Sequence, residues 1–377
     1  MKTISSLLLL LMLAAGGVGY RLYNRALPHI PWEPDENAVG VFHVHSDQSH
    51  DSALSLNEIA ETASGLQIDF VVLTDHNAQA APVEIKNTTL LSFAELSTKN
   101  GHVIQLGVPT LLTKAEKNSL TLGPDVKKRG GAAVIAHPTD IKRPWNGRWR
   151  DIGGIEIASS SAAARQVGGP SYLGLLPTLM TFPINSQLAL AQLYGRDDKA
   201  LKRWDETSAP HQAGFCGVDA HGRINLRQNL QLWKIHLEEE LPKPLIERAS
   251  TIVKALKEGK FYCAAGLFGD SPTFRFQAKK GEDTVGASGD TVSESEVSEL
   301  VINAPAVLFP DSEQQVSIVL LRDGEEILRH QGTELRYPAP PPGTYRTEVR
   351  IPVPNLLVGY TITPIIYSNK LRITRAQ

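Results

Sequence analysis

Short apolar runs, each followed by polar residues, set the plan of this sequence. Residues 38–44 form the first run. A polar loop leads from it to Ser55, which stands three positions before Glu58. That is capping-box spacing, and it predicts a helix to about residue 64 with Gly65 at its end. The run 70–73 is apolar at every position, as expected of a strand buried on both faces. Strand, helix and strand make a βαβ unit. Runs at 89–93, 103–106, 132–136, 155–158 and 215–218 continue the plan, giving seven predicted strands. Helical periodicity between them is weaker and is clearest at 188–204 and 245–258. Asn100-Gly101 is a type I′ hairpin signal, so the third and fourth strands are expected to be antiparallel. The stretch 159–213 reads as a long insertion, partly helical, covering one side of the strand ends.

From about Ser271 the pattern changes. Alternating runs at 316–321, 345–351 and 360–367 are separated by turn residues, with Asp323-Gly324 between two strands and a loop at 338–343. This predicts a small antiparallel β-sandwich of about 100 residues. At the other end, Lys2 precedes an uncharged stretch at 4–20 with an apolar heart at 7–15. Such a segment is a signal peptide or an uncleaved membrane anchor. Either places the body of the protein in the periplasm or on the extracytoplasmic face of a membrane. Residues 26–37 are proline-rich and read as an extended linker. The expected division is thus 1–25 leader or anchor, 26–37 linker, 38–270 α/β domain and 271–377 β-domain.

Composition narrows this picture in two ways. With 21% charged residues and a net charge of -2 in 377 residues, nothing indicates a polybasic surface for duplex nucleic acid. Two cysteines, Cys216 and Cys263, are too few for a disulfide scaffold. They read as buried thiols, or as a pair in an oxidising compartment.

The candidate chemistry sits where the apolar runs stop. His43 and His45 are two apart on the first strand, so both imidazoles can reach one point. Asp75 and His76 follow the second strand, Glu95 the third, His137 the fifth, and Asp219 and His221 the seventh, while Glu156 lies within the sixth. In parallel α/β folds catalytic groups gather at the carboxyl ends of strands. Imidazoles mixed with carboxylates suit Zn, Mn or Fe as divalent ions. The set exceeds what one tetrahedral ion takes, which implies two or three ions and a bridging carboxylate. Glu95 is the expected bridge. Asp51 and His50 compete for one position. Simple hairpin pairing holds His102 some distance from Glu95, and Asp75 is a candidate to orient a ligand histidine. Lys142, Arg143, Arg148 and Arg150, with Trp145 and Trp149, follow His137-Pro138. They form either a solvated basic loop or a phosphate clamp, for which Arg143 and Arg148 are the candidate contacts. His29, His211, His236 and His330 have no such setting and read as surface or linker residues.

These motifs carry a resemblance. His43-Val44-His45-Ser46, Asp51, Thr74-Asp75-His76-Asn77, Glu95, Gly101-His102, Ala136-His137-Pro138 and Gly217-Val218-Asp219-Ala220-His221 resemble, in order and strand context, the PHP (polymerase and histidinol phosphatase) family. Two departures are Ser52, where that family often has glycine, and His50, which lengthens the loop before Asp51. The resemblance implies a distorted, TIM-like (β/α)7 barrel over about 38–265 with a trinuclear metal site. Its ligands would be His43, His45, Asp51, His76, Glu95, His102, His137, Asp219 and His221. It also implies phosphoester hydrolysis, with Glu95, Asp219 and His137 as catalytic residues. The C-terminal β-region resembles a sandwich appended to some family members. The expected function is therefore a metal-dependent phosphoesterase that uses a metal-activated hydroxide on a small-molecule or nucleotide-like mono- or diester. The alternatives are an amidohydrolase-like enzyme cleaving C–N bonds and a non-catalytic surface binding or assembly protein.

Overall fold

The computed structural model describes the chain except residues 1–16, 18, 34–36, 170–172, 208–211, 223–224, 312, 357–358 and 377. Most of the expected leader or anchor, and His211, therefore lie outside the described residues. Among those described, no helix is long and apolar enough to cross a membrane.

Every predicted apolar run up to residue 220 forms a strand. They are Ala38–Val44, Phe70–Leu73, Thr88–Ser92, Gly101–Leu106, Ala132–Ile135, Gly154–Ser159 and Ala213–Ala220, nearly all buried along their length. Together they make a large, mostly parallel central sheet within a mixed α/β fold. Ala38–Val44 lies between Phe70–Leu73 and Ala213–Ala220 and is parallel to both. Phe70–Leu73 continues parallel to Thr88–Ser92. On the other side Ala213–Ala220 is parallel to Gly154–Ser159, and that strand to Ala132–Ile135. Gly101–Leu106 is antiparallel to Ala132–Ile135 and, across the Asn-Gly region, to the short strand Glu95–Thr98, which no apolar run predicts. The hairpin partner of Gly101–Leu106 is therefore not Thr88–Ser92, the expected third strand. The turn is of another type, however. A type I′ turn needs positive φ at both central residues, and here Gly101 takes it instead, at 122°.

The helices follow their local signals. Ser55 and Glu58 form the predicted capping box on Leu56–Ser64. Leu245–Glu258 ends at Gly259, which is left-handed at φ 72°. The predicted helix at 188–204 is instead two, Ser186–Ala191 and Asp198–Glu206. Asp197 is the reason: its carboxylate accepts from the Ala200 N–H at 3.0 Å, starting a new helix rather than continuing the old one.

Two buried strands, Lys234–Leu237 and Phe261–Ala264, are absent from the sequence reading. The first pairs antiparallel with the start of Ala38–Val44 and with Phe261–Ala264. The second pairs on its far side with Gly359–Ser368. The hydrogen-bonded ladder thus passes residue 270 into Gly343–Asn355, Ser317–Arg322 and Glu325–Gln331. At the tip of the last pair Asp323 and Gly324 have φ 53° and 87°, the mirror-image turn their sequence predicts. A separate antiparallel sheet holds Arg275–Lys280, Asp283–Ala287, Glu299–Asn303 and Glu334–Pro338. His236, expected at the surface, is fully buried and stacked on Tyr262 with ring centres 4.9 Å apart. It lies in one of the two unforeseen strands. Cys216 and Cys263 are buried and unbridged.

One charged knot ties the insertion to the C-terminal strands. Arg346 forks onto Asp205 at 2.8 and 2.7 Å and donates to Glu348 at 2.7 Å. Arg350 and Arg196 also donate to Glu348, at 2.8 and 3.2 Å. Burial pushes the Glu348 carboxyl up, but the three guanidinium groups outweigh it and hold it at about 2. Beside the knot, Arg346 and Lys370 lie over the buried Trp204 ring at 5.4 and 4.8 Å.

Candidate metal centre

The strand ends bring one carboxylate into the middle of five imidazoles. Glu95 begins the strand Glu95–Thr98 and is buried. Its Oε1 lies 2.9 Å from His102 Nδ1 and 3.1 Å from His137 Nε2. Its Oε2 lies 3.1 Å from His76 Nδ1, 3.5 Å from His45 Nε2 and 3.6 Å from His43 Nε2. Asp219 Oδ1 stands 3.5 Å from the same nitrogens of His43 and His45. Asp51 Oδ2 completes the far side, 3.0 Å from His221 Nε2 and 3.3 Å from His76 Nε2.

The backbone is bent to reach this arrangement. His43 has φ 72°, His137 28° and Asp219 50°, all in a region L-residues seldom occupy. The pairing register of Ala38–Val44 shifts between Phe42 and Val44, so His43 sits on a bulge. Strain of this kind collects at functional sites. It also alters why the two histidines converge. A bulge and a strand end bring His43 and His45 together, not regular alternation along a strand.

Glu156 is the residue whose part the sequence reading missed. Its Oε1 accepts from His43 Nδ1 at 2.6 Å, and its Oε2 accepts from the His137 N–H at 2.6 Å. A lone carboxylate within the buried strand Gly154–Ser159 was the available signal. The pair needs Gly217: a Cβ there would stand 2.1 Å from Glu156 Oε1. Gly217→Ala is expected to displace Glu156, loosen His43 and cost about 1–3 kcal/mol through overpacking. Thermal unfolding of the variant, with its metal content, checks this.

The donor set fits divalent cations. With the His43 Nδ1–H donated to Glu156, its Nε2 presents a lone pair towards carboxylate oxygens. The buried nitrogens His43 Nε2, His45 Nε2 and His76 Nδ1 have no hydrogen-bond partner. Acceptors facing acceptors repel unless a cation lies between them. At metal–ligand lengths near 2.1 Å, tetrahedral ligands stand about 3.4 Å apart, close to the spacings seen here. The side chains form four overlapping groups with donor atoms within 4.8 Å of one another: His43, His45 and Asp219; His43, Glu95 and His137; His76, Glu95 and His102; and His45, Asp51, His76 and His221. These groups take in all nine ligands that the resemblance implies. Buried His, Glu and Asp side chains can therefore hold metal here.

The electrostatics mark a site that attracts positive charge: a proton on His43 while no ion is bound, which a cation would displace. Burial pushes the His43 imidazole down, yet Glu156, Glu95 and Asp219 overcome it and raise it well above its ordinary value. Burial raises Glu95 and Asp219, but the surrounding histidines hold both well below the usual carboxylate range. Burial dominates at His76, which falls to about 4, leaving the neutral imidazole a metal requires.

Of the contested residues, Asp51 rather than His50 enters the groups, although both line the cavity. His102 does reach Glu95. It pairs with Ser97, so it shares a sheet face with Glu95 at a diagonal position. Asp75 accepts from the Ser46 N–H and hydroxyl at 2.7 and 2.8 Å, and so braces the loop after His45. The cavity above these groups measures about 430 Å³. Lys142, Arg143 and Arg165 stand in its wall. Arg143 Nη1 lies 3.0 Å from His102 Nε2. Arg165, from the helix Ser160–Gly168, pairs with Asp140 and lies 3.4 Å from Asp219 Oδ2. Arg148 is elsewhere, lining a different cleft with Trp149, Arg150 and Arg203 and pairing with Asp151 at 3.9 Å. Among known proteins, neither a family model nor a curated sequence matches this chain.

Proposed function

We propose that the chain is a metal-dependent phosphoesterase of the PHP kind, acting on a phosphomonoester or phosphodiester. Supporting this reading above all is the position of Glu95, one carboxylate shared by two candidate ion groups. On this reading the succession of strands from Ala38–Val44 round to Ala213–Ala220 is a distorted seven-stranded barrel, with two or three ions at its rim. His43, His45 and Asp219 would hold one ion, His76 and His102 another, and Asp51 with His221 the outer one, with Glu95 bridging. When bound, such ions lower the pKa of water and neutralise developing phosphoryl charge.

The protein's own groups do the rest. Glu156 fixes the His43 tautomer, so that Nε2 presents its lone pair. Arg143, Arg165 and Lys142 line the cavity and suit a phosphate's equatorial oxygens. Asp140, buried beneath Arg165, limits the directions in which that guanidinium can turn. An amidohydrolase-like site would place a lysine where Glu95 stands. The body would work outside the cytoplasm, as the segment 4–20 suggests.

Metal analysis of the purified chain is expected to find two to three divalent ions. Chelation should lower the melting temperature, because an ion held at about a hundred times its Kd stabilises the native state by about 2.7 kcal/mol. A panel of phosphomonoesters and phosphodiesters should show turnover that chelation removes. Less than one ion per chain in active protein would refute the proposal.

A further inference from the structure

The helix Leu176–Thr181 is built inside out for water. Thr178 and Thr181 are buried, while Leu176, Leu179 and Met180 face outward, Met180 with 72% of its surface exposed. Leu173, one turn earlier, is 64% exposed. Water selects the opposite pattern, with threonine outside and leucine inside.

This face continues across neighbouring elements. Asn185 Nδ2 donates to the carbonyl oxygens of Leu22 and Arg25 at 3.0 and 3.1 Å. The insertion is thereby fastened to the chain just after the apolar N-terminal stretch. Arg25 in turn donates to the carbonyls of Asn355 and Gly359 and lies over the Tyr360 ring at 5.6 Å. Tyr20 and Tyr23 are exposed on the first of these elements, and Tyr360 and Ile362 on the last. Three distant stretches of sequence thus meet and expose leucine, methionine, isoleucine and tyrosine together. Large apolar side chains exposed together on adjoining elements mark an interaction site.

We infer that this face rests in the interfacial layer of a phospholipid bilayer. Two observations select that occupant. The uncharged stretch 4–20 is long and apolar enough to enter a bilayer, and Tyr20 is its last residue. Tyrosines beside apolar side chains, with Arg21 between Tyr20 and Tyr23 and Arg25 just after them, are the composition of a membrane–water boundary. The segment 4–20 then supplies attachment, and the face fixes how the body lies on the lipid. This inference does not depend on the metal centre.

The test uses the full chain in phosphatidylcholine–phosphatidylglycerol vesicles. An environment-sensitive fluorophore is placed at Met180→Cys, with Leu179→Cys as a second variant. Leu120→Cys, 71% exposed in the turn before the helix Leu122–Lys128, is the control. Both native cysteines are buried and should label poorly. Brominated phosphatidylcholine is expected to lower emission about twofold at 179 and 180, a depth typical of interfacial side chains, and to leave 120 unchanged. Absence of quenching on vesicle-bound chain overturns the inference. A blue-shifted probe that bromine does not reach also overturns it, and would identify a second copy or the chain's own apolar segment as the cover. Failure of the full chain to float with vesicles does the same.

Discussion

Glu95→Gln is expected to strip the centre of bound metal and of hydrolytic activity while leaving the fold intact. The amide keeps the side chain's size but removes the charge shared between two ion groups, so no core is opened. Losing several kcal/mol of electrostatic stabilisation corresponds to a fall of about a thousandfold or more in kcat/KM. Metal content should drop from two or more ions to fewer than one. His137→Ala should act in the same direction, because His137 stands on the Glu95 Oε1 side. Circular dichroism and metal analysis, read beside phosphoester turnover, separate loss of the centre from loss of the fold. A Glu95→Gln protein with full metal and full activity would remove Glu95 from the bridging role.

Glu348→Ala should cost about 3–5 kcal/mol, the range for breaking a buried ion pair and leaving the other charge behind. Here three guanidinium groups lose their common acceptor. The same knot predicts an acid limb. Glu348 is held at about 2 in the folded chain against an ordinary 4.5. A depressed carboxyl contributes stability that is fully present above the unfolded value and is lost as pH falls through the folded one. The loss should therefore run between pH 4.5 and about 2, and amounts to about 3 kcal/mol. Urea midpoints across that window, for wild type and Glu348→Ala, check the sign, because the variant should lose much of the slope. Cutting the chain at 270 would remove Arg346 and Glu348 together, leave Asp205 without its guanidinium partner and Arg196 with Asp198 alone, and bare the edge of Phe261–Ala264. Such a fragment is expected to precipitate.

The strands around the centre were legible because each is a short apolar run closed by a polar motif, and burial on both faces writes that pattern plainly. Most imidazoles and carboxylates of the centre were legible for the same reason, as they stand where the runs end, whereas Asp51 lies in a loop and His102 stands at the start of a strand, so neither position marks itself. What escaped depended on partners distant in sequence. Lys234–Leu237 has a lysine and a histidine in four residues, and reads as polar until Tyr262 is found stacked on His236. Glu156 looked like a strand position until the bulge at His43 turned its imidazole onto it. Arg165 lay in an insertion whose helices are set by caps too short to announce which way they face the cavity.

The pairing of Ala38–Val44 with Ala213–Ala220 also has a consequence in time. The ribosome delivers Phe42 and Val44 long before Gly217 and Ala220, their partners across the strand. Until then one edge of the first strand has no permanent neighbour, and pairing at such separation is slow and prone to aggregation. The metal centre is completed in stages too, since the groups of His76, Glu95 and His102 and of His43, Glu95 and His137 emerge before Asp219 and His221, which supply the last ligands. Completion of the centre is therefore expected late in synthesis, and sealing of the Phe261–Ala264 edge later still, once residues 359–368 have emerged. Protease resistance of ribosome-bound chains halted before 213, after 221 and after 368 should rise in two steps, with the effect of zinc or manganese largest in the chains that extend past 221.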